Sequence, residues 1–222
     1  MTATTKGPTM TDNEQILAWT KAERLSLADF FEQLTEPEWH ADSLCAGWTV
    51  RDVAAHMTWS TRTTWPIVLK TVARARFSFD RMETILATER AAQFTPAELI
   101  AQLRETAGSA HRTPGAGILD PLLDALVHGQ DVARPLGRAR QLPIEPAIHA
   151  ANHVFGNKFY GAHRRLRDMR LIATDCDWTA GTGTQDLRGP IADLILVATG
   201  RPAGLPALTG PALPRLTSNL TT

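Results

Sequence analysis

The chain has 222 residues, 43% of them hydrophobic and 21% charged, which is typical of a globular protein. Its 23 basic and 23 acidic residues cancel, so no strong electrostatic field favours nucleic acid or an anionic membrane as a partner. The two cysteines, Cys45 and Cys176, are too far apart in sequence to suggest a disulfide framework or a paired-cysteine metal motif. The N-terminus lacks the apolar core of a signal peptide, and the longest apolar run, interrupted by Asp193, is too short to span a bilayer. We therefore expect a cytoplasmic protein.

The first predicted element is a helix over residues 12–34, where apolar side chains recur at helical spacing. Thr11 and Glu14 have the spacing of a capping box, in which a hydroxyl and a carboxylate satisfy free backbone N–H groups at a helix start. A connector containing Pro37 and Gly47 is expected to follow, because both residues interrupt regular structure.

Further helix starts follow along the chain. The run TVRD at 49–52 is a second capping box, and Pro66 is expected to kink or end the helix that begins there. Residues 67–92 are expected to be helical despite a poor apolar pattern. The run TPAE at 95–98 starts a third helix, and a fourth is predicted over 120–137, between Asp-Pro and a glycine.

A fifth helix is predicted over 145–168, so that residues 11–168 form a helical bundle, which is the natural way for such helices to bury their apolar faces. Residues 169–222 differ in pattern and are predicted to form a small mixed α/β segment. The run RLIATD at 170–175 alternates like a strand, the following stretch is rich in turn residues, and 191–200 reads as a short helix closed by a glycine.

One octapeptide, DALVHGQD, carries candidate chemistry on the fourth helix. Asp124, His128 and Asp131 lie on one helical face, and Asp124 and His128 are one turn apart, so both side chains can reach one ion. Imidazole with carboxylate suits zinc and other divalent metals. The same pattern is also typical of a solvent-exposed polar helix face.

A catalytic metal site needs a third protein ligand, which in a bundle should come from a facing helix. His56 is the best candidate, because it lies at the edge of the apolar stripe of the second helix, although a hydrogen-bonded histidine at the edge of the core would look the same. His149 and His153 form a second pair at metal-binding spacing, with His163 downstream, and spacing alone does not choose between the two pairs.

Several other classes of site find no support in the sequence. There is no G-x-S-x-G nucleophile motif, and the cysteines resemble small buried apolar residues more than nucleophiles. The run GTGTQD is too irregular for a phosphate-binding loop and does not open a helix.

Three blocks of the sequence resemble a known family. The run LCAGWTVRDVAAHM at 44–57 resembles the opening signature of the mycothiol-dependent maleylpyruvate isomerases, which belong to the DinB-like metalloenzymes. The run HGQDVARPLG at 128–137 and the segment at 187–210 are similar to later blocks of the same family, in the same order. The combination is more specific than any single block.

The resemblance implies a mainly α fold, a DinB-like up-down four-helix bundle with a small α/β C-terminal domain. It implies Zn²⁺ as the metal, mycothiol as thiol cosubstrate, and His56, Asp124 and His128 as ligands, in preference to the pair at 149 and 153. The isomerase for which the family is named has Glu where this chain has Asp124, and the shorter side chain is expected to alter the metal distance or preference.

The leading hypothesis is therefore a zinc-dependent, mycothiol-using S-transferase or isomerase that acts on small electrophiles, with no nucleic acid or membrane partner. Arg201 is a candidate for binding an anionic substrate, although the same pattern is more typical of a surface arginine, and Asp131 is a candidate for orienting His128. Two alternatives stay open: a non-catalytic metal- or ligand-binding bundle, and a metal hydrolase in which water takes the position of the thiol.

Overall fold

The computed structural model describes residues 12–221, so Thr11 and the capping box predicted for it lie outside the described residues. The first seven helices within this range are α1 (Asp12–Glu32), α2 (Glu36–Trp39), α3 (Val50–Trp59), α4 (Trp65–Arg74), α5 (Phe79–Gln93), α6 (Pro96–Glu105) and α7 (Asp120–Ala133). The remaining elements are α8 (Ile144–Gly156), α9 (Ala162–Arg165), β1 (Met169–Ala173), β2 (Thr179–Ala180), β3 (Gln185–Gly189), α10 (Ile191–Ala198) and α11 (Leu213–Thr221).

Four helices form the bundle. Helices α1, α6, α3 and α7 pack in a ring in which each contacts the next, and α5 packs against α3. Their inward side chains make one apolar core, which stabilises the bundle by removing that surface from water. Its larger members include Leu27, Phe31, Val53, Met57, Leu99, Leu103 and Val132. The predicted mainly α bundle with a small α/β C-terminal part is confirmed.

The helix starts predicted at TVRD and at TPAE are found where the sequence placed them, and both carry a capping box. The backbone N–H of Thr49 donates to the Asp52 carboxylate at 2.8 Å, and that of Asp52 donates back to the Thr49 hydroxyl at 3.3 Å. Thr95 and Glu98 form the same box at the start of α6. Each cap satisfies free backbone N–H groups and so fixes the residue at which its helix begins.

The predicted role of Pro66 differs from the structure. The second helix ends at Trp59, well before the proline, and a separate helix α4 begins after Thr64 with Pro66 in its first turn. Proline is tolerated there because a first-turn N–H has no intrahelical partner to lose.

The fifth helix is also shorter than the predicted 145–168. It ends at Gly156, and Asn157 then leaves the helical conformation with a φ of −112° and a ψ of 114°. Gly161 follows in the left-handed region at a φ of +71°, which separates a short 3₁₀ turn from α9. The Tyr160 hydroxyl, in this 3₁₀ turn, donates to Asp120 of α7.

The C-terminal segment contains a three-stranded sheet in the order β2-β1-β3, with β1 antiparallel to β2 and parallel to β3. The strand predicted at 170–175 is confirmed as β1, whereas the stretch interpreted as turns contains β2 and β3. Strand β3 was missed because QDLRG has one large apolar side chain, Leu187, facing the core.

The core of this segment continues into the bundle. Buried apolar residues from α7 and α8 pack together with those of the sheet, α10 and α11 in one cluster. The division into domains at 168/169 stays a prediction. None of the helices within residues 12–221 combines the length and apolar character needed to cross a bilayer.

Candidate metal centre

The structure brings together the three predicted ligands. His56 comes from α3, and Asp124 and His128 come from adjacent turns of α7, which packs against it. The Nε2 atoms of His56 and His128 lie 3.4 and 3.3 Å from the same oxygen, Oδ1 of Asp124. One ligand atom from each residue lies within 4.8 Å of the other two, a spacing that allows all three to bind one ion.

Charge is concentrated at this point inside the bundle. Burial alone would lower the pKa of His56, but the Asp124 carboxylate, together with Glu83, raises it to about 9. The pKa of His128 is likewise raised well above its ordinary value by Asp124 despite burial, and the two imidazoles lower the pKa of Asp124 itself. A negative carboxylate between two imidazoles is a donor set suited to a divalent cation, so the residues present fit the metal that the sequence resemblance implies.

Each histidine also faces a carboxylate with its other ring nitrogen. Nδ1 of His128 lies 2.9 Å from Oδ2 of Asp131, which is completely buried. Nδ1 of His56 lies 3.2 Å from Oε2 of Glu83, although the direction does not meet the geometry of a regular hydrogen bond. A carboxylate at Nδ1 favours the tautomer that leaves Nε2 free, which is the usual support of a metal-binding histidine.

Glu83 is the residue that sequence reasoning missed. It lies on α5, whose apolar pattern is weak, and nothing in its own spacing points to a site. Its role emerges only because α5 packs on α3 and directs the side chain toward His56.

Trp48 packs beside both histidines. Its ring centroid lies 5.3 Å from that of His56 and 6.3 Å from that of His128, the latter nearly parallel. Its Nε1 donates to Thr84 Oγ1 at 3.1 Å, which anchors the indole against α5. The indole therefore limits the movement of both imidazoles.

Arg201 is held by Asp131. Its Nε and Nη2 donate to the two carboxylate oxygens at 3.1 and 2.8 Å, and its Nη1 donates to the carbonyl of Thr199 at 3.0 Å. Arg201 thus touches the site through the carboxylate that supports His128. Its predicted contact with an anionic substrate stays a prediction.

A second set of donors shares His128. Cys45 Sγ donates to Oδ2 of Asp131 at 3.2 Å and lies 3.6 Å from Nδ1 of His128, so these three residues also converge. In this second set, the Asp131 carboxylate already accepts hydrogen bonds from Arg201, whose positive charge would repel a cation. The set around Asp124 is therefore the better cation site.

The other predicted histidine pair is used differently. The ring of His149 packs on Trp19 with centroids 4.9 Å apart. His153 Nε2 lies 2.5 Å from Oδ1 of Asp120, the same oxygen that accepts from the Tyr160 hydroxyl. Among residues 12–221, neither histidine belongs to a convergent group of metal ligands.

Comparisons with known proteins gave a match to one family model and to solved structures. Residues 20–117 match the family model described as the mycothiol maleylpyruvate isomerase N-terminal domain. A crystal structure of the mycothiol-dependent maleylpyruvate isomerase is similar over 91% of this chain and 94% of its own, at 13% identity and a TM-score of 0.62. A histidine-to-alanine mutant of that isomerase aligns over the same shares with a TM-score of 0.61 and 13% identity. A comparison with curated protein sequences gave no match.

Proposed function

Because residues 20–117 match the family model of the mycothiol maleylpyruvate isomerase N-terminal domain, we propose that the protein is a zinc-dependent enzyme that uses mycothiol. Its reaction is the transfer of the thiol to a small electrophile, or the isomerisation of one through reversible thiol addition. The observation that carries the proposal is the convergence of two imidazole Nε2 atoms on one carboxylate oxygen, with a further carboxylate beside each Nδ1.

The residues that would hold the ion are His56, Asp124 and His128, which leave room for a non-protein ligand. A divalent ion in this position supplies Lewis acidity, which lowers the pKa of a thiol and keeps it deprotonated near neutral pH. The Asp124 side chain is 27% exposed, so a small molecule can approach from one side while the histidines stay buried.

The surrounding residues keep the site ordered and free of a competing nucleophile. Glu83 and Asp131 lie beside Nδ1 of His56 and His128, while both Nε2 atoms face Asp124. The Cys45 thiol donates a hydrogen bond to Asp131, so the protein's own sulfur is directed toward Asp131 and not toward Asp124. We assign the attack to the sulfur of the thiol cosubstrate.

Attack of the thiolate on the electrophile can lead to either substitution or isomerisation. In both, the thiolate sulfur forms a bond to an electrophilic carbon. If that carbon carries a leaving group, the group departs with its bonding electron pair and the product is a thioether. If the carbon belongs to a cis-alkene conjugated to a carbonyl, the electron pair moves to the carbonyl oxygen, the carbon–carbon bond rotates, and loss of the same thiolate leaves the trans isomer.

Metal content tests the ligand set. We expect about one zinc ion per wild-type chain and a large loss in His56→Ala and in His128→Ala, because each removes one of three ligands. His149→Ala is the matched control, since this histidine packs on Trp19 and should leave the zinc content unchanged. Equal zinc content in wild type and both ligand variants would overturn the assignment.

Thiol consumption tests the activity. With 1-chloro-2,4-dinitrobenzene and mycothiol, we expect zinc-loaded protein to release chloride and form the thioether, and His128→Ala to lose this activity. Stoichiometric metal without turnover of any electrophile would indicate a binding protein. Ester or amide hydrolysis without any thiol would indicate a hydrolase.

A further inference from the structure

Helix α4 presents an apolar side to solvent. It packs mainly on α5, and Val68 and Val72 on its inner side contact a buried apolar cluster that includes Met82. Trp65 and Leu69 lie outside that cluster and are 61% and 62% exposed. Because residues four apart on a helix share a face, these two side chains form one apolar stripe. The packing of α4 on α5 leaves this stripe uncovered.

The turn after α4 holds a phenylalanine in water. The backbone N–H of Phe77 donates to the carbonyl of Val72 at 3.0 Å, which is part of the Schellman pattern of a helix end. In that motif the residue at this position commonly packs back on the helix, yet Phe77 is 85% exposed. Arg76 and Phe77 also have φ values of +53° and +62°, a conformation that strains side chains larger than glycine. The fold keeps Phe77 exposed at a conformational cost, which is typical of a segment with a function.

Positive charge surrounds this apolar surface. No aspartate or glutamate occurs between residues 53 and 79, a stretch that contains one lysine and three arginines. Arg74 pairs with Glu89, whereas Lys70 and Arg76 belong to no ion pair within the part of the chain that the structure describes. Around α4, the turn and the adjoining side of α5, four basic side chains outnumber two acidic ones: Lys70, Arg74, Arg76 and Arg81 against Asp80 and Glu89. The whole chain has no net charge, yet this surface is positive.

The chemistry of the surface selects its partner. A second copy of the chain would place the same basic residues opposite each other across a two-fold axis, where like charges repel. An apolar stripe with an indole, a phenyl ring and flanking cations matches instead a helix that lies in the interface of a membrane. In such a helix, apolar side chains enter the boundary of the lipid headgroups, and cations contact anionic lipid.

We propose that α4 and the turn after it form a docking surface for a membrane that contains anionic phospholipid. Trp65, Leu69 and Phe77 enter the headgroup boundary, and Lys70 and Arg76 contact the lipid phosphates. The attachment is peripheral and reversible, because three apolar side chains bury little area. This surface replaces the expectation, drawn from the overall charge, that the chain has no membrane partner. None of its residues is a candidate metal ligand, so the inference does not depend on the proposed function.

Cosedimentation of the full chain with vesicles tests the proposal. We expect binding to vesicles made of equal parts phosphatidylglycerol and phosphatidylcholine, and weaker binding as the salt concentration rises. Binding to pure phosphatidylcholine should be about 10- to 30-fold weaker, because Lys70 and Arg76 then lose their anionic partner.

Phe77→Gly separates membrane contact from folding. Glycine adopts a positive φ without strain, so the variant should keep wild-type stability in thermal unfolding. Its affinity for the anionic vesicles should nevertheless fall about 5- to 10-fold, because the phenyl ring is gone. Ile144→Ala, which truncates an exposed apolar side chain on α8, is the matched control and should bind like wild type.

Two charge variants test the cations. Lys70→Gln and Arg76→Gly should each weaken binding to the anionic vesicles about 5-fold and leave binding to the neutral vesicles unchanged. Lys21→Gln, which removes an exposed charge on α1, is the control and should change neither.

The proposal would be overturned by absence of cosedimentation at low salt, by equal binding to neutral and anionic vesicles, or by a Phe77→Gly variant that binds like Ile144→Ala. Sedimentation equilibrium provides a further test. A dimer that dissociates in Phe77→Gly would assign the surface to a second copy of the chain and would also overturn the proposal. Zinc content should be the same in all these variants, which separates this inference from the proposed function.

Discussion

At the scale of single residues, the candidate metal centre depends on histidine–carboxylate pairs. His56 and His128 each have one ring nitrogen directed at Asp124 and the other at a carboxylate, Glu83 or Asp131. Such a carboxylate orients the ring and makes the free nitrogen a stronger donor. The side chains that are not ligands therefore matter for metal binding nearly as much as those that are.

Glu83→Ala should weaken zinc binding by about 10- to 100-fold, the range found when the partner of a metal-binding histidine is removed. Glu83→Gln retains an oxygen that can accept from Nδ1 and should be affected less. Competition with a chromogenic chelator measures the affinity, and thermal unfolding of the metal-free proteins measures any loss of stability.

Glu89→Gln is the control for this prediction, because it lies on the same helix in a surface pair with Arg74. An affinity of Glu83→Ala equal to that of wild type would show that the carboxylate does not support His56. A loss of stability in the metal-free protein that accounts for the whole effect would assign Glu83 a structural role.

At the scale of elements, local signals were reliable where they were complete. The capping boxes at Thr49 and Thr95 contain both partners within four residues, so each can start a helix without help from distant parts of the chain. The ends of helices were less predictable. The helix predicted over 145–168 ends at Gly156 in the structure. A two-residue strand such as β2 is too short to show a periodic pattern.

A bidentate ion pair joins helix α2 to the segment that follows α7. Arg138 donates from Nε and Nη2 to the two oxygens of Glu38, at 2.8 and 3.0 Å. Hydrogen bonds from Arg138 and Thr35 lower the pKa of Glu38 from 4.5 to about 2. A lowered pKa means that the pair stabilises the fold fully above the unfolded value and stops doing so as the pH falls toward 2.

We therefore expect the coupling between Glu38 and Arg138 to depend on pH. A double-mutant cycle with Glu38→Gln and Arg138→Gln, followed by chemical unfolding, should give a favourable coupling at pH 6–7 that disappears as the pH falls from about 4.5 toward 2. The cycle cancels the separate capping contact of Glu38 with Thr35. A coupling that persists at pH 2 would contradict this prediction.

At the scale of the whole molecule, Arg201 connects the C-terminal segment to the bundle. It follows α10, yet it pairs with Asp131 of α7, which supports His128. The shared core of α7, α8, the sheet and α10 holds this contact in place. The fold thus couples the C-terminal segment to the candidate metal ligand.

Arg201→Met should lower the free energy of unfolding by about 2–3 kcal/mol, because it leaves the buried Asp131 carboxylate without its cation. The loss is placed below the range of about 3–5 kcal/mol for fully buried pairs because the Arg201 side chain is 23% exposed and solvent screens part of the interaction. Zinc affinity should fall as well, since Asp131 then loses its rigid position beside His128. Chemical unfolding and metal competition measure the two effects.

Arg170→Met removes a surface pair with Asp186 and serves as the control, with an expected change below about 1 kcal/mol. A similar stability for Arg201→Met and Arg170→Met would mean that Arg201 contributes no more than a surface charge.

The similarity to isomerase structures at 13% identity illustrates how little of a sequence a fold requires. The helix starts, the apolar faces and the spacing of Asp124 and His128 are local properties, and the sequence by itself determined them, together with the family resemblance that pointed to His56. Long-range packing decided the rest. Only the packing of α5 on α3 directs Glu83 toward His56, and only the shared core brings Arg201 to Asp131, because neither contact leaves a local pattern in the chain.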